Sequence, residues 1–193
     1  LQCENEITLR ISLKNNNYSI KHFRPSTTCK HLNVNGEKFK KIYENICTKF
    51  GIKYELCDTF RSVKQNNSEG VLDDLYIPII NSVASELQLH KNNEDAVKHY
   101  FKSIIGINSH YVCCNLHKSV DIYNFSEVKD PKNMEIKTEN QYIYIDFDNK
   151  FKIKMRLHNS CTKLTKNPGV KFDVTSPNMD DIVEKISINK SIV

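Results

Sequence analysis

Residues 140–175 carry the strictest pattern in the chain, a period-two alternation that suits a β-strand with one buried face. Ile143, Ile145 and Phe147 alternate with Tyr142, Tyr144 and Asp146. After Asp148, Asn149 and Lys150, the apolar set resumes at Phe151, Ile153, Met155 and Leu157. A three-residue loop, with Asn149 at positive φ, would close the two runs as a hairpin. In that register Phe147 opposes Phe151, Ile145 opposes Ile153 and Ile143 opposes Met155, so one face is wholly apolar. The other face pairs Asp146 with Lys152, Tyr144 with Lys154 and Tyr142 with Arg156. Beyond the turn signal at Asn167, Pro168 and Gly169, a third strand follows from Val170, Phe172 and Val174. A C-terminal three-stranded meander is therefore expected as the core sheet, packed on a helix over 37–50 or on the last helix.

The rest of the chain divides by the same reasoning. Ile7, Leu9, Ile11 and Leu13 alternate with polar residues, and Tyr18, Ile20 and His22 return after an Asn turn, which predicts an N-terminal hairpin. Asn35 reads as the cap of a helix over 37–50, with Phe39, Ile42, Tyr43, Ile46 and Phe50 on one face and Gly51 as its stop. A short strand over 52–56 would follow, and the polar stretch 61–70 reads as a mobile loop. Pro78 suits the first turn of a helix to residue 89, and Asn92 or Asn93 caps a second, stopped by Gly106. Together they predict a helical hairpin. Residues 111–116 and 120–125 are strand-like, 127–139 is a polar connection broken by Pro131, and Asn178 caps a last helix whose inner face carries Met179, Ile182, Val183 and Ile186.

Strands and helices come in runs, without the regular alternation of a parallel sheet. The fold expected is α+β, mainly antiparallel, with the N-terminal hairpin, the C-terminal meander and three to four helices. Residues 1–193 are expected to form a single domain, and 61–70 and 126–139 are the places where it could divide. The charged and hydrophobic fractions, 26% and 39%, exclude a disordered chain, and no apolar run reaches the length of a membrane span. The net charge of +5, spread along the chain, is modest for a domain that lives by phosphate contacts.

Asn, Lys, Ile and Tyr are abundant while Trp is absent, a usage that follows AT-rich codons and fits a parasite or a large DNA virus. The chain opens on Leu1, which suits either a processed N-terminus or a cut in a longer chain.

Seven cysteines, at 3, 29, 47, 57, 113, 114 and 161, exceed ordinary usage and form no CxxC pair. Cys3, Cys29, Cys47, Cys57, Cys113, Cys114 and Cys161 are read as disulfide candidates of an exported protein, secreted or at a cell surface; the alternative is an intracellular protein with reduced thiols. Asn17, Asn66, Asn124 and Asn189 begin glycosylation sequons, about as many as chance supplies in so Asn-rich a chain.

His110, Cys113, Cys114 and His117 are the right residue types for zinc, but on a strand they alternate between faces, so no metal site is expected. Cys29 with His31, and Cys161 with His158, lack any third group to align them, so no catalytic residue is assigned. No phosphate-binding glycine loop occurs, and no cofactor is expected.

What remains is the outer face of the meander, with Tyr142, Tyr144, Lys152, Lys154, Arg156 and beside them Lys171. Rings beside cations suit a protein partner. They also suit an RNA or DNA strand, which is the alternative reading. A plain solvated sheet face has the same composition. The expectation is a non-enzymatic binding protein that presents this face to a protein partner.

Overall fold

The computed structural model describes residues 10–15, 19–55, 57–67, 69–106, 109–115 and 119–189, with the backbone alone at 10–15, 109–115, 119 and 189. In chain order the strands are β1 (Arg10–Asn15), β2 (Lys21–Phe23), β3 (Ser109–Asn115), β4 (Ser119–Asn124), β5 (Met134–Glu139), β6 (Tyr142–Phe147), β7 (Lys152–Asn159), β8 (Val170–Thr175) and β9 (Glu184–Asn189). The helices are α1 (Thr28–Leu32), α2 (Glu37–Lys53), α3 (Phe60–Asn66), α4 (Ile77–Leu89), α5 (Glu94–Ile105) and the single turn α6 (Met179–Ile182). The architecture is α+β and mainly antiparallel, as expected, built on two sheets. One has the order β2-β8-β7-β6-β5, the other β1-β3-β4-β9.

The meander forms in the register its side chains require. Ile145 faces Ile153, Ile143 faces Met155 and Tyr144 faces Lys154. Phe147 N–H donates to the Phe151 carbonyl at 2.9 Å. The turn differs in one respect: Lys150, with φ 73°, takes the left-handed position, while Asn149 Oδ1 accepts the Phe151 N–H at 3.0 Å. In a three-residue hairpin loop the last residue is the one that must turn left-handed.

The inner face is dry. Ile143, Ile145, Met155, Leu157, Phe172 and Val174 are all fully enclosed. Their cover is the helical hairpin α4–α5, not the helix over 37–50 or the last helix. Phe101 of α5 meets Phe147 and Phe151 edge-on, at centroid distances of 5.1 and 5.5 Å. Tyr100 O–H reaches the Met155 sulfur at 3.3 Å, and Gln88 Nε2 donates to the Ile136 carbonyl at 3.0 Å. The stripe of α5 carries the larger rings, and edge-to-face ring pairs favour this choice beyond their area. Helix α2 packs instead on α4. Both ends of α5 follow from its sequence: Asn93 Oδ1 accepts the Ala96 N–H, and Gly106 leaves the helix at φ 81°.

Several expectations are corrected. The N-terminal hairpin does not form: β1 pairs parallel with β3, while β2 pairs antiparallel with β8 in the other sheet. The second pairing encloses Ile20 and Phe23 at the sheet edge, with the Phe23 ring 5.7 Å from that of Phe172. Residues 7–9 of the expected first strand lie outside the described residues.

Among the described residues no strand forms over 52–55, since α2 runs through Gly51 to Lys53; residue 56 of the expected strand lies outside them. Gly51 serves close approach rather than termination, because a Cβ there would sit 2.9 Å from the Lys166 carbonyl oxygen. The stretch 61–70 is not a mobile loop but holds α3. Thr59 caps it by accepting the Ser62 N–H at 3.1 Å, and Phe60 and Val63 anchor it in the core.

The polar connection over 127–139 contains β5, whose Met134 and Ile136 are buried at the sheet edge. The last helix is one turn long, and residues 184–189 pair with β4 as a strand. Ile186 is consequently 53% exposed rather than core. Among the described residues no helix is long and apolar enough to cross a membrane.

Candidate interaction surface

Every second side chain of β5 to β8 points away from the helices and builds one continuous outer face. The strand register sets it out as rungs. One runs Glu139, Tyr142, Arg156, Asp173, His22; the next Lys137, Tyr144, Lys154, Thr175; a third Glu135, Asp146, Lys152. All five residues singled out in the sequence therefore share this face, in the cross-strand pairs expected.

Their geometry is closer than pairing alone requires. The Lys154 ammonium lies 4.4 Å from the Tyr142 ring centre and 5.7 Å from that of Tyr144. The two rings are 6.1 Å apart with 34° between their planes. The strand diagonal brings both rings to one cation, an attraction of about 0.5–1 kcal/mol per ring at a wet surface. Lys154 and both tyrosines are half-buried, while Arg156 and Lys152 stand exposed at the ends. Lys152 pairs with Asp146 at 3.3 Å.

Sequence reasoning placed Lys171 on the other half of the face and missed the rest of it. Asp173 sits between two histidines, with His22 Nε2 on one carboxylate oxygen and His158 Nε2 on the other, both at 2.7 Å. Lys171 Nζ adds a looser contact at 3.7 Å. His158, like Lys171, is an outward residue of the same alternation and could have been read from it. His22 could not, because its place depends on β2 joining β8.

The cations of the face are thus interleaved with acids: Lys137, Lys152, Lys154, Arg156 and Lys171 stand among Glu135, Glu139, Asp146 and Asp173. Asp146 and Asp173 are engaged by their basic neighbours. The field is of mixed sign, without the single-signed stripe that tracks a phosphate backbone.

The cysteines are scattered by comparison. Cys29 and Cys47 are buried, Cys57 is half-buried and Cys161 is exposed; these four carry free thiols. Burial, with the Glu86 carboxylate beside it, pushes the Cys29 thiol up to about 12. Burial likewise raises Cys47, and the Tyr43 hydroxyl one turn away only partly offsets it. A raised thiol is the reverse of what a nucleophile needs. Cys161 Sγ donates to the Lys163 carbonyl at 3.3 Å, and His158 is turned to Asp173 instead. Cys113 and Cys114 lie on β3, where the backbone alone is described; Cys3 and His117 lie outside the described residues.

No family model, no curated protein and no solved structure matches this chain.

Proposed function

We propose that this protein is a non-enzymatic binding module that engages a protein partner through the outer face of the five-stranded sheet. The observation that carries the reading is the Tyr142–Lys154–Tyr144 stack set among charges of both signs. Tyrosines held this way lose little conformational freedom on binding and offer wide contact area. The rigid sheet beneath them lowers the ordering cost of association. The interleaved carboxylates weigh against RNA or DNA, whose phosphates they would repel.

The test uses immobilised protein and its Tyr144→Ala and Arg156→Ala forms, both outward-facing changes. A protein bound by the parent and lost by Tyr144→Ala, with weak salt dependence, is the expected result. Capture of a mixed-sequence oligonucleotide with a steep salt slope, reduced equally in both variants, would replace this reading with the nucleic-acid one. Equal behaviour of all three forms would leave the face a plain solvated surface.

Export into an oxidising compartment belongs to the same proposal and is supported by the number of cysteines. Its intrachain pair would come from Cys3, Cys113 and Cys114, since Cys29, Cys47, Cys57 and Cys161 carry free thiols. Five reactive thiols in the denatured, unreduced protein are expected; seven would place it in a reducing compartment.

A further inference from the structure

A second feature lies away from the sheet face, between α1, the first half of α2 and the loop before β8. It is a cavity of about 560 Å³, within the range of small-ligand sites. Val34, Pro168, the Tyr43 ring and the two buried thiols give it apolar walls. Its charged lining is biased: Arg24, Lys30 and Lys40 stand with one carboxylate, Glu44, while a second, Glu86, lies behind the Cys29 thiol. Glu44 is a weak competitor, because Lys40 and Glu44 are 3.8 Å apart with side chains 74% and 59% exposed.

The start of α2 adds to the same field. Gly36, the N-cap of this 17-residue helix, lines the cavity; Asn35 Oδ1 accepts the Glu37 N–H at 3.1 Å, and Gly36 itself adds no side chain over the rest of the first turn. Glycine is required there, since a Cβ would come 2.7 Å from that of Cys29. The helix can therefore bring its positive end against α1 and the cavity wall. The neutral groups stay neutral. Burial and Glu86 hold the Cys29 thiol at about 12, and burial raises both Cys47 and the Tyr43 hydroxyl. At neutral pH none of them cancels the three cations.

We infer that this cavity binds a small phosphate monoester with an apolar body. A phosphate monoester brings close to two negative charges. Three lining cations against one lining carboxylate match that, with Glu86 engaged behind the Cys29 thiol, and the apolar walls take the rest of the molecule. A carboxylate on the same body carries half the charge and binds more weakly.

The test is a titration of the isotope-labelled full chain with phenyl phosphate, followed by amide chemical shifts. Benzoate, inorganic phosphate and benzyl alcohol serve as comparison probes. Phenyl phosphate is expected to saturate, moving amides of α1, the first turns of α2 and residues 167–169. The doubly substituted Arg24→Gln/Lys40→Gln protein, changed at two exposed positions, is expected to bind at least about tenfold more weakly. Tyr144→Ala is expected to leave the titration unchanged, which keeps this site separate from the sheet face. Equal binding of benzyl alcohol would make the cavity an apolar hollow and overturn the inference. So would equal binding of inorganic phosphate, unchanged affinity in the double variant, or shifts centred elsewhere.

Discussion

Strands β6 and β9 carry the same motif and meet opposite fates. Each places two isoleucines two residues apart in an alternating strand. Ile143 and Ile145 of β6 are fully enclosed, whereas Ile186 and Ile188 of β9 are 53% and 54% exposed. Cross-strand partners do not explain the difference, since Ile186 faces Ile122 and Ile188 faces Val120. The explanation lies above the sheet. The β6 face is roofed by α4 and α5, whose Phe101 and Tyr100 reach across the meander, while the β9 face keeps its isoleucines in water. Alternation decides which residues share a face; a second layer decides whether that face becomes core.

The comparison can be broken first at the roof. Phe101→Ala removes the ring that meets Phe147 and Phe151, and a loss of about 3–5 kcal/mol in urea unfolding is expected. A loss as small as that of a surface change would mean α5 does not cover the meander. The compared residues themselves come next. Ile145→Ala should cost about 2–5 kcal/mol, and Ile186→Ala less than about 1 kcal/mol, in the same assay. Equal values would erase the distinction between the sheets, and a cost below about 1 kcal/mol at Ile145 would mean the register is inverted.

Gly51→Ala sharpens the account of how the helical layer sits on the sheet's loops. In an ordinary helix that change stabilises by about 0.5–1 kcal/mol. Here the new methyl meets the Lys166 backbone, and a loss of about 1–3 kcal/mol is expected from thermal or urea unfolding. A gain would show that the loop yields.

The smallest effect concerns the tether of α5. Asp130 receives Lys98 and Lys102 at 3.0 and 2.9 Å. Burial alone would raise its carboxyl, but hydrogen bonds from the two lysines outweigh this and hold it below the usual carboxylate range. A depressed acid stabilises the fold above its unfolded value, near pH 4, and the contribution is lost as pH falls through the lower folded value. Asp130→Asn should therefore flatten part of the acid limb of stability, by less than about 1 kcal/mol at neutral pH. An unchanged acid limb would remove Asp130 from the roof's attachment.

The interaction surface was legible to the extent that it is local. Tyr142, Tyr144, Lys152, Lys154 and Arg156 belong to one hairpin, and a hairpin's register follows from its alternation and its turn. The Asp173 cluster was half legible, since Lys171 and His158 lie on adjoining strands. The cavity was not legible at all. Arg24, Lys40 and Pro168 meet because α2 folds back past α1 to the loop before β8, and no periodicity records that meeting.

The same division holds for the fold. The sequence by itself determined the β6–β7 register, the alternation of β8, the faces of α4 and α5, and the cap and stop of α5 at Asn93 and Gly106. Each of these depends on residues within a turn or a hairpin of one another. Tertiary structure alone decided that β1 pairs parallel with β3, that β2 leaves it for β8, and that 184–189 is strand rather than helix. It likewise turned 61–66 into a helix, on two anchors, Phe60 and Val63. Short segments with one or two apolar residues gain too little locally to choose a conformation. They take whichever form lets a distant partner enclose those residues, and that enclosure supplies the free energy.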